Sequence, residues 1–408
     1  MLYILLGYMF LFIHRPFEVW PALGEYHVER VYAILACLIW MVYPAKRLVP
    51  TRYDLGVALF CLAIVASWMM SPWGAGCEHT VEDYFKIVVF YVLVSTAVTR
   101  IDQLKKISFG FLAIMAVYLL HSLWEFRNGR YTFRMGIPRM IGVDTSLGDP
   151  NSFGASIVFA LPFVRLFWLT STDKLVKAFL AGYTGLSALC ILLTGSRSSL
   201  VGLIAFALIV ILQSRKRFRY LVVGGALACA AFVALPGDLQ TRFETIVNPE
   251  VRSKSDTESG YGRLEGLIKG WELFEKYPLT GCGPGVWRKA TGSDIESHNL
   301  YGQTMGELGG LGVLTFGGLV VMFALGLQTL RNRARRDVTP DGEFAYHLTT
   351  TLFTALFLML LEGMFGHNLF RFSWLWYIGF LVIASRALGR AQPQVWTLPQ
   401  PGLRLVAR

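Results

Sequence analysis

With 408 residues, 54% of them hydrophobic and only 16% charged, the chain has too little charge to cover a soluble surface of its size. Its formal charge of +11 is therefore assigned to loops beside a membrane, and a nucleic-acid partner is excluded. Windows without Asp, Glu, Lys or Arg run over 55–77, 178–196, 198–214, 220–237 and 308–330. Each is close to or above the roughly 18–20 apolar residues that span a bilayer core. The composition predicts an all-α polytopic membrane protein.

In chain order the apolar segments predict about twelve transmembrane helices, at 1–13, 30–44, 55–72, 84–99, 107–124, 151–170, 176–194, 198–213, 219–235, 304–330, 346–366 and 372–388. The first lacks a basic n-region and a small-residue cleavage site, so it is expected to remain as a signal anchor. The division is helices one to nine over 1–235, one long loop over 236–300, helices ten to twelve over 301–390, and a tail over 391–408. Four short loops are strongly basic: Lys46, Arg47 and Arg52; Arg100, Lys105 and Lys106; Arg215, Lys216, Arg217 and Arg219; Arg331, Arg333, Arg335 and Arg336. All fall on one side if both termini are cytoplasmic, which puts the long loop outside.

Some basic residues break that rule. Arg127, Arg130, Arg134 and Arg139 stand in the outside loop before the sixth span. They bind lipid head groups or line a cationic pocket for an anionic substrate, with Arg134 and Arg139 as pocket candidates. Arg197 is alone in the turn "TGSRSS" between two apolar helices. Its guanidinium must snorkel, pair or face a watery cavity, because an unpaired buried charge costs several kcal/mol. A five-donor fork that stays protonated also suits diphosphate oxygens. Asp149, before Pro150 and Asn151, is expected to cap a helix. Cys77 and Cys282 are both placed outside, where a disulfide could form. No zinc-like cysteine pairing or outside Asp-x-Asp metal site is present, so neither metal nor cofactor is expected.

Within the long loop, "GYGRLEGLIKGWELFEKYPLTGCGPGVW" predicts an amphipathic helix ended by a proline–glycine turn. Leu264, Leu267, Ile268, Trp271 and Phe274 follow the three-and-four spacing of one apolar face, expected to lie on the membrane over the bundle. Arg263 stands near the helix start, where the dipole disfavours a cation, which makes it a ligand-contact candidate. Next comes "SHNLYGQTMGELGGLG". His298 precedes the tenth span, where a helix N-terminus favours neutral imidazole, the form a general base needs. Capping or packing is the plainer role for such a histidine.

Three stretches carry a family resemblance: "IGVDTSLGDPNSFGASIVFALPF" with its Pro-Asn helix opening, "LLTGSRSSLVGLIAF" with Gly-Ser-Arg, and "SHNLYGQTMGELGGLGVL" with His-Asn and Glu-Leu-Gly. With the Arg-plus-Pro-Gly segment of the long loop, the chain resembles the bacterial O-antigen ligase and O-antigen polymerase superfamily of membrane glycosyltransferases. A second "HN", His367–Asn368, departs from the pattern. The resemblance implies a bacterial inner-membrane enzyme with a periplasmic active site. It would transfer a glycan from undecaprenyl diphosphate to a hydroxyl of lipid A–core or a similar acceptor, without metal and with inversion. Matched motif by motif, Arg197 and Arg263 would hold the diphosphate and His298 would activate the acceptor. Asn151, Asn299 and Glu307 join Arg134 and Arg139 as candidate substrate-pocket residues. Polymerisation of repeat units and transfer to protein hydroxyls remain open, as does a different class, transport of polyanionic lipids. Transport would favour arginines inside the spans, where only Lys86 and Arg165 break the apolar runs.

Overall fold

The structure, a computed structural model, describes residues 1–134, 136–144, 147–245 and 254–389, with side chains not described for Pro21, Ala228 and 254–261. The expected tail at 391–408 lies outside the described residues. The helices are α1 (Leu2–His14), α2 (Pro16–Val19), α3 (Pro21–Glu25), α4 (Val28–Val42), α5 (Arg52–Met70), α6 (Gly74–Ala97) and α7 (Ile101–Arg127). A hairpin of β1 (Thr132–Arg134) and β2 (Ile137–Arg139) follows, pairing Thr132 with Arg139 and Arg134 with Ile137. Then come α8 (Pro150–Thr170), α9 (Lys174–Thr194), α10 (Arg197–Leu212), α11 (Arg217–Val233), α12 (Gly237–Glu244), α13 (Lys254–Lys276), α14 (Trp287–Thr291), α15 (Leu300–Ala334), α16 (Pro340–Gly363) and α17 (Phe372–Leu388).

Six of these, α5, α7, α8, α9, α15 and α16, are long and apolar enough to cross a membrane. Three more, α1, α10 and α17, are apolar but shorter. The expected spans at 30–44, 84–99 and 219–235 are helical, as α4, α6 and α11, but are not among these nine. In α6 the reason is Glu82, Asp83 and Lys86, an ion-pair cluster in which Lys86 Nζ lies 2.9 Å from Asp83 and 3.6 Å from Glu82. The protein is thus a multi-pass, mainly helical membrane protein.

Its centre is α17, apolar all round and buried at every residue from Ser373 to Ala384. Helix α17 packs on α6, α15 and α7, while α8 packs on α9, α10 and α16, and α15 on α5 and α16. Side chains fix several helix starts. Asp149 caps α8 by accepting from Ser152 N–H at 2.9 Å, with Pro150 at the first helical position. Ser196 caps α10, and Asn299 Oδ1 caps α15 by accepting from Tyr301 and Gly302 N–H at 2.9 and 3.0 Å.

Two features place the long loop. Gly309 takes a left-handed φ of 60° and breaks α15 there, a conformation that favours glycine. A broken membrane helix must have its freed backbone groups satisfied elsewhere. The turn after α13 does this. Cys282 and Gly283 N–H donate to Gly306 and Glu307 O at 2.8 and 3.0 Å, while Gly310 and Leu311 N–H donate to Pro278 and Leu279 O at 2.8 and 3.0 Å. Cys77 and Cys282, both buried beside this turn, are free thiols.

The second feature is the packing of α13. The predicted apolar face of α13 does not meet the bundle: Leu264, Ile268 and Trp271 are 54%, 50% and 52% exposed. Gly262, Gly266, Gly270 and Leu273 are buried instead. Close approach of two backbones decided the packing rather than apolar periodicity. A Cβ built on Gly270 would lie 2.5 Å from Gly302 Cα, so glycine on α13 meets glycine on α15.

Candidate active site

At one end of the bundle the N-termini of α8 and α10, the residues just before α15, and the turn joining α16 to α17 enclose a small cavity. It is lined by Asp149, Asn151, Ser152, Ser198, His298, Glu362, Phe365, His367, Asn368 and Arg371, among others. Its volume of about 20 Å³ admits a water but no sugar, so a substrate must open it. Three polar atoms facing this region, His367 Nδ1, Glu362 Oε1 and Asn368 Oδ1, are buried without a hydrogen-bond partner among the described residues. Buried polar groups are nearly always satisfied, so three such atoms together call for a water or a polar ligand here.

The glycine contact between α13 and α15 sets Arg263 beside His298. A Cβ on Gly266, three residues after Arg263, would lie 3.4 Å from His298 N. The Arg263 guanidinium stacks on Phe365 at 4.9 Å from the ring centroid, at the cavity wall. Burial first, and then the nearby Arg197 charge, lower its pKa, against which Glu362 acts. Arg197 begins α10, is 9% exposed, and donates Nη1 to Thr245 Oγ1 at 3.0 Å. Of the alternatives for Arg197, snorkelling does not describe this buried, hydrogen-bonded side chain.

Two more arginines secure the turn that carries Arg197. Arg139 Nε donates to Thr194 O at 2.7 Å and Arg242 Nε to Gly195 O at 2.6 Å. Both serve carbonyls at the C-terminus of α9, where partial negative charge favours cations. Arg139 also donates to Asn151 Oδ1 at 3.1 Å, which ties Asn151 into the wall. Burial, then the Arg242 charge, push the Arg139 pKa down to about 9, with Arg134 and Arg197 adding and Asp149 opposing. Arg139, Arg197, Arg242 and Arg263 gather behind the cavity wall rather than in its lining, which itself carries Asp149 and Glu362, and they make the surroundings of the cavity electropositive.

Of the residues singled out from sequence, Arg139, Arg197, Arg263, His298 and Asn151 come together here. Arg134 is exposed on β1 and reaches His298 through its charge. Asn299 works as a helix cap. Glu307 stands apart, under the proline–glycine turn, where Oε2 accepts from Gly285 N–H at 2.9 Å and Gln303 donates to Oε1 at 3.4 Å. The two histidines, treated separately in the sequence, share one cavity with ring centroids 6.2 Å apart. Burial lowers the His298 pKa, and the Arg134 and Arg263 charges add to this against Asp149. Burial and then Arg371 bring His367 down to about 4. Both are neutral at pH 7, and a neutral imidazole can accept a proton. Sequence reasoning missed Glu362, Phe365, Arg371 and Arg242. The second "HN" and the arginine four residues after it were the available signal for the α16–α17 turn.

Residues 182–317 match the family model described as O-Antigen ligase. The match begins within α9 and ends in α15, and it contains Arg197, Arg263 and His298. No curated protein matches the chain.

Proposed function

Because the chain is a member of the O-antigen ligase and polymerase superfamily through residues 182–317, we propose that it moves a glycan from undecaprenyl diphosphate to an acceptor hydroxyl at the periplasmic face of the inner membrane. The observation that carries this reading is Arg263 stacked on Phe365 in the wall of the cavity that holds His298, with the Arg197 charge close enough to act on Arg263. A lipid-linked donor presents its diphosphate at that depth, with its tail among the helices. Guanidinium groups there stabilise the charge that develops on the leaving diphosphate, in a partly dry site where such interactions gain strength. Arg197 and Arg263 hold the diphosphate oxygens, while Arg139 and Arg242 fix the turn that aims Arg197.

The step is a single displacement. The acceptor oxygen attacks the anomeric carbon as the bond from that carbon to the phosphate oxygen breaks. The electron pair leaves with the diphosphate, the hydroxyl proton passes to His298, and the anomeric configuration inverts. The favoured acceptor is lipid A–core, as for an O-antigen ligase. A second lipid-linked repeat unit would make the enzyme a polymerase, and a serine peptide would make it a protein glycosyltransferase. Purified protein in nanodiscs, given lipid-linked glycan with each of these three acceptors, discriminates them by mass spectrometry of the product. Movement of intact lipid-linked glycan across the bilayer, with no product on any acceptor, would replace the enzyme reading with transport.

A further inference from the structure

A second cavity lies behind the histidines, and Arg371 lines both. At about 100 Å³ it is about five times the size of the histidine cavity, at about 20 Å³, and a hexose widens it on entering. Its wall combines Arg15, Asp83, Asp144 and Arg371 with the rings of Phe12, Phe370 and Phe372. The carboxylates are held rigidly. Asp144 accepts from Tyr118 Oη and, at 3.2 Å, from Leu147 N–H. Asp83 accepts from Lys86 at 2.9 Å and from Arg15 at 3.4 Å, and Arg15 also pairs with Glu18 at 2.6 Å. Arg371 differs from these. Although the charges of Asp144 and Asp149 act on it, no hydrogen bond among the described residues engages its guanidinium.

This combination has a chemical meaning. Fixed carboxylates accept from hydroxyls, a guanidinium fork donates to ring and hydroxyl oxygens, and aromatic faces cover the C–H face of a pyranose. A structural ion cluster would have closed Arg371 onto Asp144, and a hydrocarbon site would not hold four charges. The arginine end of the histidine cavity is reached through Asn151, Ser198 and Phe365, whereas this chamber meets it at Arg371. We propose that the chamber is a monosaccharide subsite, which holds the acceptor's terminal sugar and presents its hydroxyl to His298 from the side away from the diphosphate. The assignment to the acceptor rests on the glycosyl-transfer reading above; the sugar-binding chemistry does not.

The test uses the full-length protein in nanodiscs and a panel of free hexoses and N-acetylhexosamines, with ligand-observed NMR as the readout. At least one sugar binds the parent. Leu147→Trp, which fills the chamber, and Arg371→Gln, which removes the fork, each weaken that binding by at least about ten-fold. Arg197→Lys weakens inorganic pyrophosphate binding and spares the sugar. Failure of every sugar to bind the parent, or survival of binding in both chamber variants when their melting temperatures match the parent, overturns the subsite. The source of the sugar is read from inhibition of transfer. A bound hexose that is non-competitive with the lipid-linked donor supports the acceptor side, and one that competes with the donor overturns that assignment. A parent that binds sugar but neither binds pyrophosphate nor consumes donor refutes the transferase reading and leaves the sugar site standing.

Discussion

Replacing Gly270 by alanine tests whether the contact between α13 and α15 sets the position of Arg263. The new Cβ would lie 2.5 Å from Gly302 Cα and 2.7 Å from its carbonyl carbon. Carbon atoms settle at about 3.5–4.0 Å, so the two helices must part by about 1 Å. The obstacle is backbone, which cannot rotate away as a side chain would. Overpacking of this kind costs about 1–3 kcal/mol. Arg263, on the same helix, moves with it, and a shift of about 1 Å in a positioning group can cost about 10²-fold in rate. Gly262→Ala is the control, since its Cβ would meet only Ile295 Cδ1, at 3.9 Å. Both variants are compared with the parent by thermal unfolding in nanodiscs and by rate of glycan transfer. Gly270→Ala is expected to melt several degrees lower and to transfer at least ten-fold more slowly, with Gly262→Ala close to the parent. A Gly270→Ala protein that melts and transfers like the parent would refute the claim that this crossing aims the arginine.

Other consequences are as direct. Arg197→Lys should lose about 10²–10³ in rate at normal expression, because a point charge cannot reproduce the bidentate fork; near-normal transfer would remove Arg197 from the diphosphate site. His298→Ala should keep donor binding and lose at least about 10² in turnover, whereas His367→Ala keeps measurable turnover; the reverse pattern would make His367 the base. Only neutral His298 can take the proton, so the rate should fall as pH drops through its pKa. Burial with Arg134 and Arg263 puts that limb below the usual 6.5, and Arg263→Gln should move what activity remains to a higher limb. A limb above 6.5 in the parent would contradict this environment. For orientation, a cysteine at Glu272 should react with a membrane-impermeant reagent in spheroplasts and one at Lys216 should not, the opposite result inverting the topology.

The helices were legible because charge-free windows and capping residues are local signals. The turn at Arg197, the cap at Asp149 and the helix start at Asn299 are written in a few adjacent residues each. What was not legible depends on contacts distant in sequence. Nothing in "GRLEGLIKGWELF" alone says that its glycines, rather than Leu264, Ile268 and Trp271, face the bundle; that needs Gly302 and Gly306 opposite. Glu307 looked like a site residue of the His298 motif, yet nine residues further on it serves the break at Gly309 and the proline–glycine turn. Arg242 and Arg371 gave no motif of their own. Their roles come from α12 and the α16–α17 turn folding back on residues dozens of positions away.

The central claim is that the arginine and histidine end of the bundle performs a single inverting displacement at a diphosphate-linked sugar. It is tested most directly by following purified protein with lipid-linked glycan and lipid A–core, and determining both the released lipid and the new anomeric linkage by NMR. One undecaprenyl diphosphate should be released per glycan transferred, with the anomeric configuration opposite to that of the donor. Retained configuration, or release of undecaprenyl monophosphate in place of the diphosphate, would contradict it.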